Sequence, residues 1–171
     1  MPFSQTLLLE FDDEMKKTRK ILERVPDDKF DYKPHEKSMS LGRLATHIAD
    51  LPNWAVVTID QDVLDMQPGY KPHVATTQDE LLDIFDKNVA TASEKIAGAT
   101  DEHWNQIWTF KFSGKTMMAL PRTAVMRGMV MNHIIHHRGQ LGVYLRLNDV
   151  AVPGMYGPSA DEQAFFTAQN A

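Results

Sequence analysis

Hydrophobic residues recur at helical spacing in two stretches of the first sixty positions of the chain. The first stretch runs from residue 4 to about residue 25 and ends at Pro26, which predicts an amphipathic helix. The second begins after Ser40, a residue type that caps helices, and Pro52 within it predicts a kink or a break. The apolar stripes are Leu8, Phe11, Met15, Thr18 and Leu22 in the first helix, and Leu44, His47, Leu51, Trp54, Ala55 and Thr58 in the second.

Two further helices are predicted in the second half of the chain. Thr77 and Glu80 have the spacing of a capping box, in which each side chain satisfies a free backbone donor near the other, and Gly98 is a plausible stop. The fourth helix is expected to begin near Pro121, a favoured first-turn residue, and to end at about Leu147. The apolar face of the third helix consists of Leu81, Phe85, Val89, Ala92 and Ile96.

The segment between the third and fourth helices has a different period. Trp108, Phe110 and Phe112 alternate with polar residues, and Ser113-Gly114 follows as a turn, which indicates a small hairpin or an extended crossover. The expected fold is therefore all-α: a four-helix bundle with a long helix 3–helix 4 crossover, in which this segment is either a small hairpin or an extended connection. A second capping box, at residues 159–162, predicts a short terminal helix through Phe165 and Phe166.

Composition narrows the chemistry. A length of 171 residues predicts one domain over residues 1–171. The absence of cysteine excludes disulfides, zinc-thiolate sites, iron–sulfur clusters and a cysteine nucleophile. A net charge of −5 argues against a nucleic-acid surface. With neither a targeting signal nor an apolar stretch of about 20 residues, we expect no membrane association and a soluble, cytoplasmic protein.

Histidines form the remaining candidate site. His133 and His137 are one helical turn apart, so two imidazoles on that face could meet one metal ion. A helical wheel places both in the middle of a buried stripe, with His136 at its edge and Arg138 on the far side as a salt-bridge residue. His47 lies in the centre of the second helix's stripe. One buried histidine is usually a hydrogen-bonded core residue, whereas three on two inward faces favour a shared metal site. The rest of the stripe on the fourth helix is Met126, Met129, Val130, Gln140, Tyr144 and Leu147.

Three segments carry a resemblance to the DinB-like (damage-inducible, DinB/YfiT-type) family of bacterial four-helix metalloproteins. They are Thr46-His47-Ile48-Ala49 followed by Trp54, residues 132–146, and residues 152–162. The resemblance covers essentially the whole chain in helix order and length. It implies a divalent metal, usually nickel or zinc, held by His47, His133 and His137 at the open end of a bundle that is often dimeric.

Resemblance to this family does not specify an activity, because relatives differ in chemistry. It implies either a metal-dependent hydrolase or a thiol-dependent S-transferase-like enzyme that uses a low-molecular-weight thiol and acts on a small-molecule substrate. With no cysteine in the chain, such a thiol would arrive as a co-substrate. The alternative is a non-enzymatic metal or small-molecule binding module of the stress response, since no carboxylate is assigned as a general base.

Three neighbours of the histidines have two interpretations each. Gln140 could touch substrate or a bound water, or could be a core glutamine bonded to backbone. Tyr144 and Trp54 could wall a pocket, or could be ordinary core aromatics. A set of small residues on the opposite face of the fourth helix permits close approach of another helix, within the bundle or across a dimer contact. That set is Ala124, Gly128, Gly139 and Gly142.

Overall fold

The computed structural model describes residues 1–163 and is mostly helical. Three strands form one sheet in the order β1-β2-β3, and they are β1 Val63–Met66, β2 Ile107–Phe112 and β3 Lys115–Pro121. The helices are α1 Phe3–Leu22, α2 Leu41–Asp50, α3 Asn53–Asp60, α4 Gln78–Gly98, α5 Asp101–Asn105, α6 Arg122–Val125 and α7 His133–Arg146, with a 3-10 turn at Asp27–Lys29 and a π-helical segment at Met126–Asn132.

Helix starts follow the predicted caps. The Ser40 hydroxyl accepts a hydrogen bond from the Arg43 N–H at the start of α2, and Thr77 accepts one from the Glu80 N–H at the start of α4. The reciprocal bond of the capping box is shifted by one residue. The Glu80 carboxylate accepts from the N–H of Thr76 at 2.7 Å, where a standard capping box would use the N–H of Thr77. Both caps satisfy backbone donors that would otherwise lack partners.

Pro52 divides the predicted second helix in two. α2 ends at Asp50 and α3 begins at Asn53, so the break falls where proline removes a backbone donor. α3 then packs on α4 and on the π-helical segment, whereas α2 packs on α4 and α7. Because of the break, α2 and α3 both contact α4 but otherwise pack against different elements, α7 and the π-helical segment.

The predicted hairpin is confirmed, and it belongs to a larger sheet. β2 and β3 pair antiparallel around Ser113-Gly114, whose φ angles of 50° and 78° suit a tight two-residue turn. The short strand β1 pairs parallel to β2. This strand was not predicted, because its four residues show only a weak alternation of hydrophobic and polar positions. An all-α fold is therefore wrong in this respect: the protein is mostly helical with a three-stranded sheet. The four-helix bundle stays a prediction.

The last long helical stretch is interrupted. Pro121 ends β3 and precedes the helix, and the residues Met126–Asn132 wind as a π-helix before α7. A π-helix advances fewer degrees per residue than an α-helix, so a wheel with a uniform period misplaces residues on one side of the segment relative to the other. Such segments occur often at functional sites, and this one ends directly before His133.

The buried face of α7 agrees only in part with the face that the wheel predicted. Its buried positions include His137, as predicted, but also Arg138, which is 2% exposed, together with Ile134, Leu141 and Leu145. Leu147, expected on the buried stripe, is 56% exposed. The prediction failed because arginine was assigned to the surface, whereas here an acidic partner permits its burial.

That partner is Glu14 of α1. An Nη atom of Arg138 donates to Glu14 Oε2 at 2.6 Å, and the other donates to the Thr18 hydroxyl at 3.1 Å. The Tyr156 hydroxyl accepts from Arg138 at 2.7 Å and donates to the Glu14 carboxylate at 2.9 Å. The network joins α1, α7 and the segment that follows α7. It also confirms the salt-bridge role predicted for Arg138, in the interior rather than at the surface.

Most of the small residues predicted to allow close helix packing have no close neighbour among the described residues. Gly128 and Gly139 have no neighbouring atom within 4 Å of the position a Cβ would occupy, and Ala124 is exposed. Gly142 alone faces other side chains of the described residues, those of Ile21 and Val152 at 3.7 Å.

The C-terminal segment begins the predicted turn of helix. Glu162 accepts a hydrogen bond from the Ser159 N–H at 3.3 Å, as a capping box requires, and helical winding starts at Ala160. The expected positions of Phe165 and Phe166 lie outside the described residues. No helix of the described chain has the length and apolar character to cross a membrane.

Glu14→Gln should destabilise the protein markedly because it leaves the buried Arg138 charge without its counter-ion. We expect the free energy of unfolding in urea to fall by about 3 kcal/mol. The matched control is Glu10→Gln, which removes an exposed ion pair of α1 with Arg127 and should cost at most about 0.5 kcal/mol. Equal losses in the two variants would contradict a special role for the buried pair.

Candidate metal site

His47 lies in the last turn of α2, and its helix is held in place on both sides. The buried Thr46 hydroxyl donates to the carbonyl of Gly42 at 2.8 Å and accepts from the N–H of Ala75 at 3.0 Å. The Asn88 amide of α4 donates to the carbonyl of Ala49 at 3.0 Å. These bonds fix the end of α2 that carries His47.

α7 brings His133 and His137 against His47. The ring centroid of His47 lies 5.1 Å from that of His133 and 4.7 Å from that of His137. The two α7 rings are 4.7 Å apart. One potential ligand nitrogen from each of the three side chains lies within 4.8 Å of the others. The tertiary structure therefore brings together three residues that are distant in sequence.

Hydrogen bonds of the α7 histidines point away from the cluster. His133 Nδ1 donates to the carbonyl of Met129 at 3.3 Å, and His137 Nδ1 donates to Gln140 Oε1 at 2.7 Å. A neutral imidazole that donates from Nδ1 keeps a lone pair on Nε2. Metal-binding histidines are usually oriented in this way by a partner on the second nitrogen.

The nitrogen spacing suits a divalent cation. His47 Nε2 and His133 Nε2 are 3.4 Å apart. Two nitrogens bound tetrahedrally at about 2.05 Å are separated by roughly 3.3 Å, which agrees with this distance. The overall spread of 4.8 Å is larger, so ligation would draw the rings closer together. The donor set, three imidazoles without a thiolate, suits zinc, nickel and related ions.

Burial and mutual repulsion keep the three imidazoles uncharged. Burial is the main cause that lowers the pKa of His47 to about 4, and the neighbouring histidines and Arg43 lower it further. Burial also lowers the pKa values of His133 and His137. Neutral imidazole is the form that binds metal, so these side chains are ready to do so at neutral pH.

The three histidines lie at the edge of the core and not in its middle. His47 and His133 are half-buried, and His137 is 9% exposed. The sequence placed His133 and His137 in the middle of the buried stripe: His137 is buried, as predicted, whereas His133 is half-buried, because Arg138 and its apolar neighbours are the most deeply buried residues of α7. A position at the edge leaves the cluster accessible to a small molecule. His136 is exposed and is not part of the cluster, although its ring lies 4.9 Å from that of His137.

A scan against family models matches the DinB family over residues 1–170. The chain belongs to the DinB family. It is 27% identical over 153 residues to Uncharacterized protein YrdA of Bacillus subtilis (strain 168), a match that covers 87% of this chain and 85% of that protein.

Solved structures of DinB-like proteins share the fold. A crystal structure of a DinB-like protein from Bacillus cereus ATCC 10987 superposes with a TM-score of 0.71 at 22% identity, covering 91% of this chain and 98% of that one. The DinB-like protein YjoA from Bacillus subtilis gives a TM-score of 0.67 at 19% identity, covering 90% and 99%. At these identities the likeness describes the fold alone.

The other site residues predicted in this DinB-family chain have different surroundings. Gln140 is exposed and contacts His137 directly, which neither interpretation of the sequence anticipated. Tyr144 donates its hydroxyl to the carbonyl of Met39 at 3.2 Å and packs against Tyr32, so it is a structural aromatic. Trp54 lies 6.3 Å from Phe110 and lines a cavity of about 610 Å³ beside the loop after β1.

Two charged residues beside the cluster were not predicted from the sequence as site residues. Arg43 and Asp50 line a cavity of about 120 Å³ together with His47, Met39, Pro72 and His73. Burial is the largest influence on Asp50 and raises the pKa of its carboxyl. The signal was present in the sequence, because Arg43 precedes His47 by four residues and Asp50 follows it by three, spacings that share a helix face.

The metal-free protein should lose stability as the pH falls from about 6.5 toward about 4. Unfolded His47 binds a proton near pH 6.5, whereas folded His47 resists protonation until about pH 4, so acid favours the unfolded state. We expect the loss of unfolding free energy between about pH 7.5 and about pH 5, measured with a chelator present, to shrink in His47→Gln. The exposed His35→Gln should leave the loss unchanged, and a full loss in His47→Gln would contradict the assignment.

Proposed function

We propose that this protein binds one divalent metal ion, nickel or zinc, through His47, His133 and His137 and acts on a small-molecule substrate. The observation that carries the proposal is the convergence of three neutral imidazoles within 4.8 Å at the edge of the core. Three protein ligands leave at least one coordination position free, which is typical of catalytic rather than structural sites. We therefore favour a metal-dependent hydrolase or a thiol-dependent S-transferase-like enzyme.

A divalent cation held there would supply Lewis acidity, which favours the deprotonated form of a water molecule or of a thiol. The chain's own residues orient the ligands: Met129 fixes the ring of His133, and Gln140 fixes that of His137. Burial lowers the pKa values of the three imidazoles, so protons compete less with a metal ion for the ligand nitrogens at neutral pH. Because the chain has no cysteine, a reacting thiol would be a low-molecular-weight co-substrate.

The alternative is a non-enzymatic metal or small-molecule binding module. One observation favours it: within residues 1–163, the hydrogen-bond partners of the His133 and His137 Nδ1 atoms are a carbonyl and an amide, with no carboxylate among them. General acid–base catalysis by the protein would need a proton acceptor within reach of the substrate. Asp50 is the carboxylate that lines the cavity beside His47.

Metal content tests the site. Protein purified without chelator and offered nickel or zinc should hold about one ion per chain by elemental analysis, and alanine at His47, His133 or His137 should abolish this. His136→Ala is the matched control, since His136 adjoins the cluster without joining it, and it should retain the metal. Gln140→Ala should weaken affinity by about tenfold, because it removes the bond that orients His137.

Two results would refute the metal site. One is a wild-type protein that holds no stoichiometric metal after exposure to both ions. The other is a loss of metal in His136→Ala as large as that in His137→Ala, because metal would then bind to exposed imidazoles and not to the three-histidine cluster.

Turnover distinguishes the enzyme from the binding module. The metal-loaded protein is offered bacterial thiols with electrophiles and, separately, a panel of esters and amides. We expect turnover in one panel and a loss of at least about 100-fold in His137→Ala, because the ion that lowers the barrier is lost. Turnover that survives His137→Ala would show that the reaction does not depend on this site. No turnover in either panel would favour the binding module.

A further inference from the structure

A single face of α2 presents three polar side chains to the cavity of about 120 Å³ beside the histidine cluster. Arg43, His47 and Asp50 follow one another at the spacing of successive helical turns, and all three line the cavity. Pro72 and His73 close it from the segment between β1 and α4. A cavity of this volume holds several water molecules, which is enough room for a carboxylate group with one or two attached carbons.

Arg43 is the charge in this cavity that lacks a counter-ion. Within residues 1–163 its guanidinium forms neither a hydrogen bond nor an ion pair. His73, in contrast, is bonded to Glu80 at 2.7 Å. The positive charge that His73 carries when protonated and the Asn88 amide both oppose the rise that burial causes in the pKa of Asp50. The Arg43 charge is close enough to the cluster to contribute to the lowered pKa of His47.

The charges around the cluster do not cancel when a metal ion is bound. Three neutral imidazoles leave a divalent cation its charge of +2, and Arg43 adds +1. Among residues 1–163, Asp50 is the one carboxylate that lines the cavity. A neutral substrate would leave this excess unmatched. A guanidinium can bind a carboxylate through two parallel hydrogen bonds, which gives orientation as well as affinity.

We propose that Arg43 binds a carboxylate group of the substrate in the cavity beside His47, and thereby selects anionic small molecules for the three-histidine site. The inference rests on the proposed metal site and specifies its substrate class. The carboxylate would occupy the small cavity, and the reacting atom would lie a few bonds away, over the cluster. Asp50, on the opposite side of His47 along α2, would repel the same group and limit where it can bind.

Cobalt(II)-loaded protein allows the inference to be tested by ligand binding, without any turnover. Two thiols that differ in charge, mercaptoacetate and 2-mercaptoethanol, are titrated while the visible absorption of cobalt is recorded. Arg43→Gln should weaken mercaptoacetate binding by about fivefold at low ionic strength and leave 2-mercaptoethanol binding unchanged. Asp50→Asn should have the opposite effect and strengthen mercaptoacetate binding by a few-fold, since it removes a nearby negative charge.

The control is Arg24→Gln, which removes an exposed arginine that does not line the cavity and should affect neither titration. If Arg43→Gln weakens both thiols equally or neither, the role of Arg43 as a carboxylate receptor is refuted. If the protein binds no cobalt, the metal site fails and this inference fails with it. Bound cobalt without any preference for mercaptoacetate would refute the inference alone.

Discussion

The buried ion pair between Arg138 and Glu14 fixes the rotation of α7 about its own axis. A charge in the interior is tolerated only with its partner and further hydrogen bonds, and Arg138 finds them on α1 and at Tyr156. Rotation of α7 by one residue would break this network. His137 directly precedes Arg138, so the same constraint turns the histidine face of α7 toward α2 and His47. The geometry of the cluster therefore depends on an interaction that does not touch it.

The histidine cluster also shows why a site of this kind lies at the edge of a core. Deep burial would make three imidazoles with unpaired nitrogens costly, and full exposure would let them protonate or be hydrated. Burial of His137 and half-burial of His47 and His133 keep the rings neutral, and the exposed parts of His47 and His133 leave room for a ligand. The outward hydrogen bonds to Met129 and Gln140 satisfy Nδ1 of each α7 ring, and the Nε2 atom of each ring keeps its lone pair.

Membership of the DinB family accounts for the fold and does not specify an activity. Solved DinB-like structures at 19–22% identity share this architecture over most of their length. One scaffold can serve different functions when the side chains at its site differ. In this chain the neighbours of the cluster include Arg43 and Asp50, which lie one helical turn to either side of His47 and outside the fully buried core.

The sequence by itself determined the helix caps, the break at Pro52, the hairpin around Ser113-Gly114 and the histidines of interest, because these depend on local spacing and on residue chemistry. Only the tertiary structure decided which face of α7 is buried, since an arginine enters the interior when a distant glutamate meets it. The pairing of β1 with β2 and the approach of His47 to α7 are likewise contacts between segments far apart in the chain. No local pattern encodes such contacts, because their free energy arises only when the elements pack together.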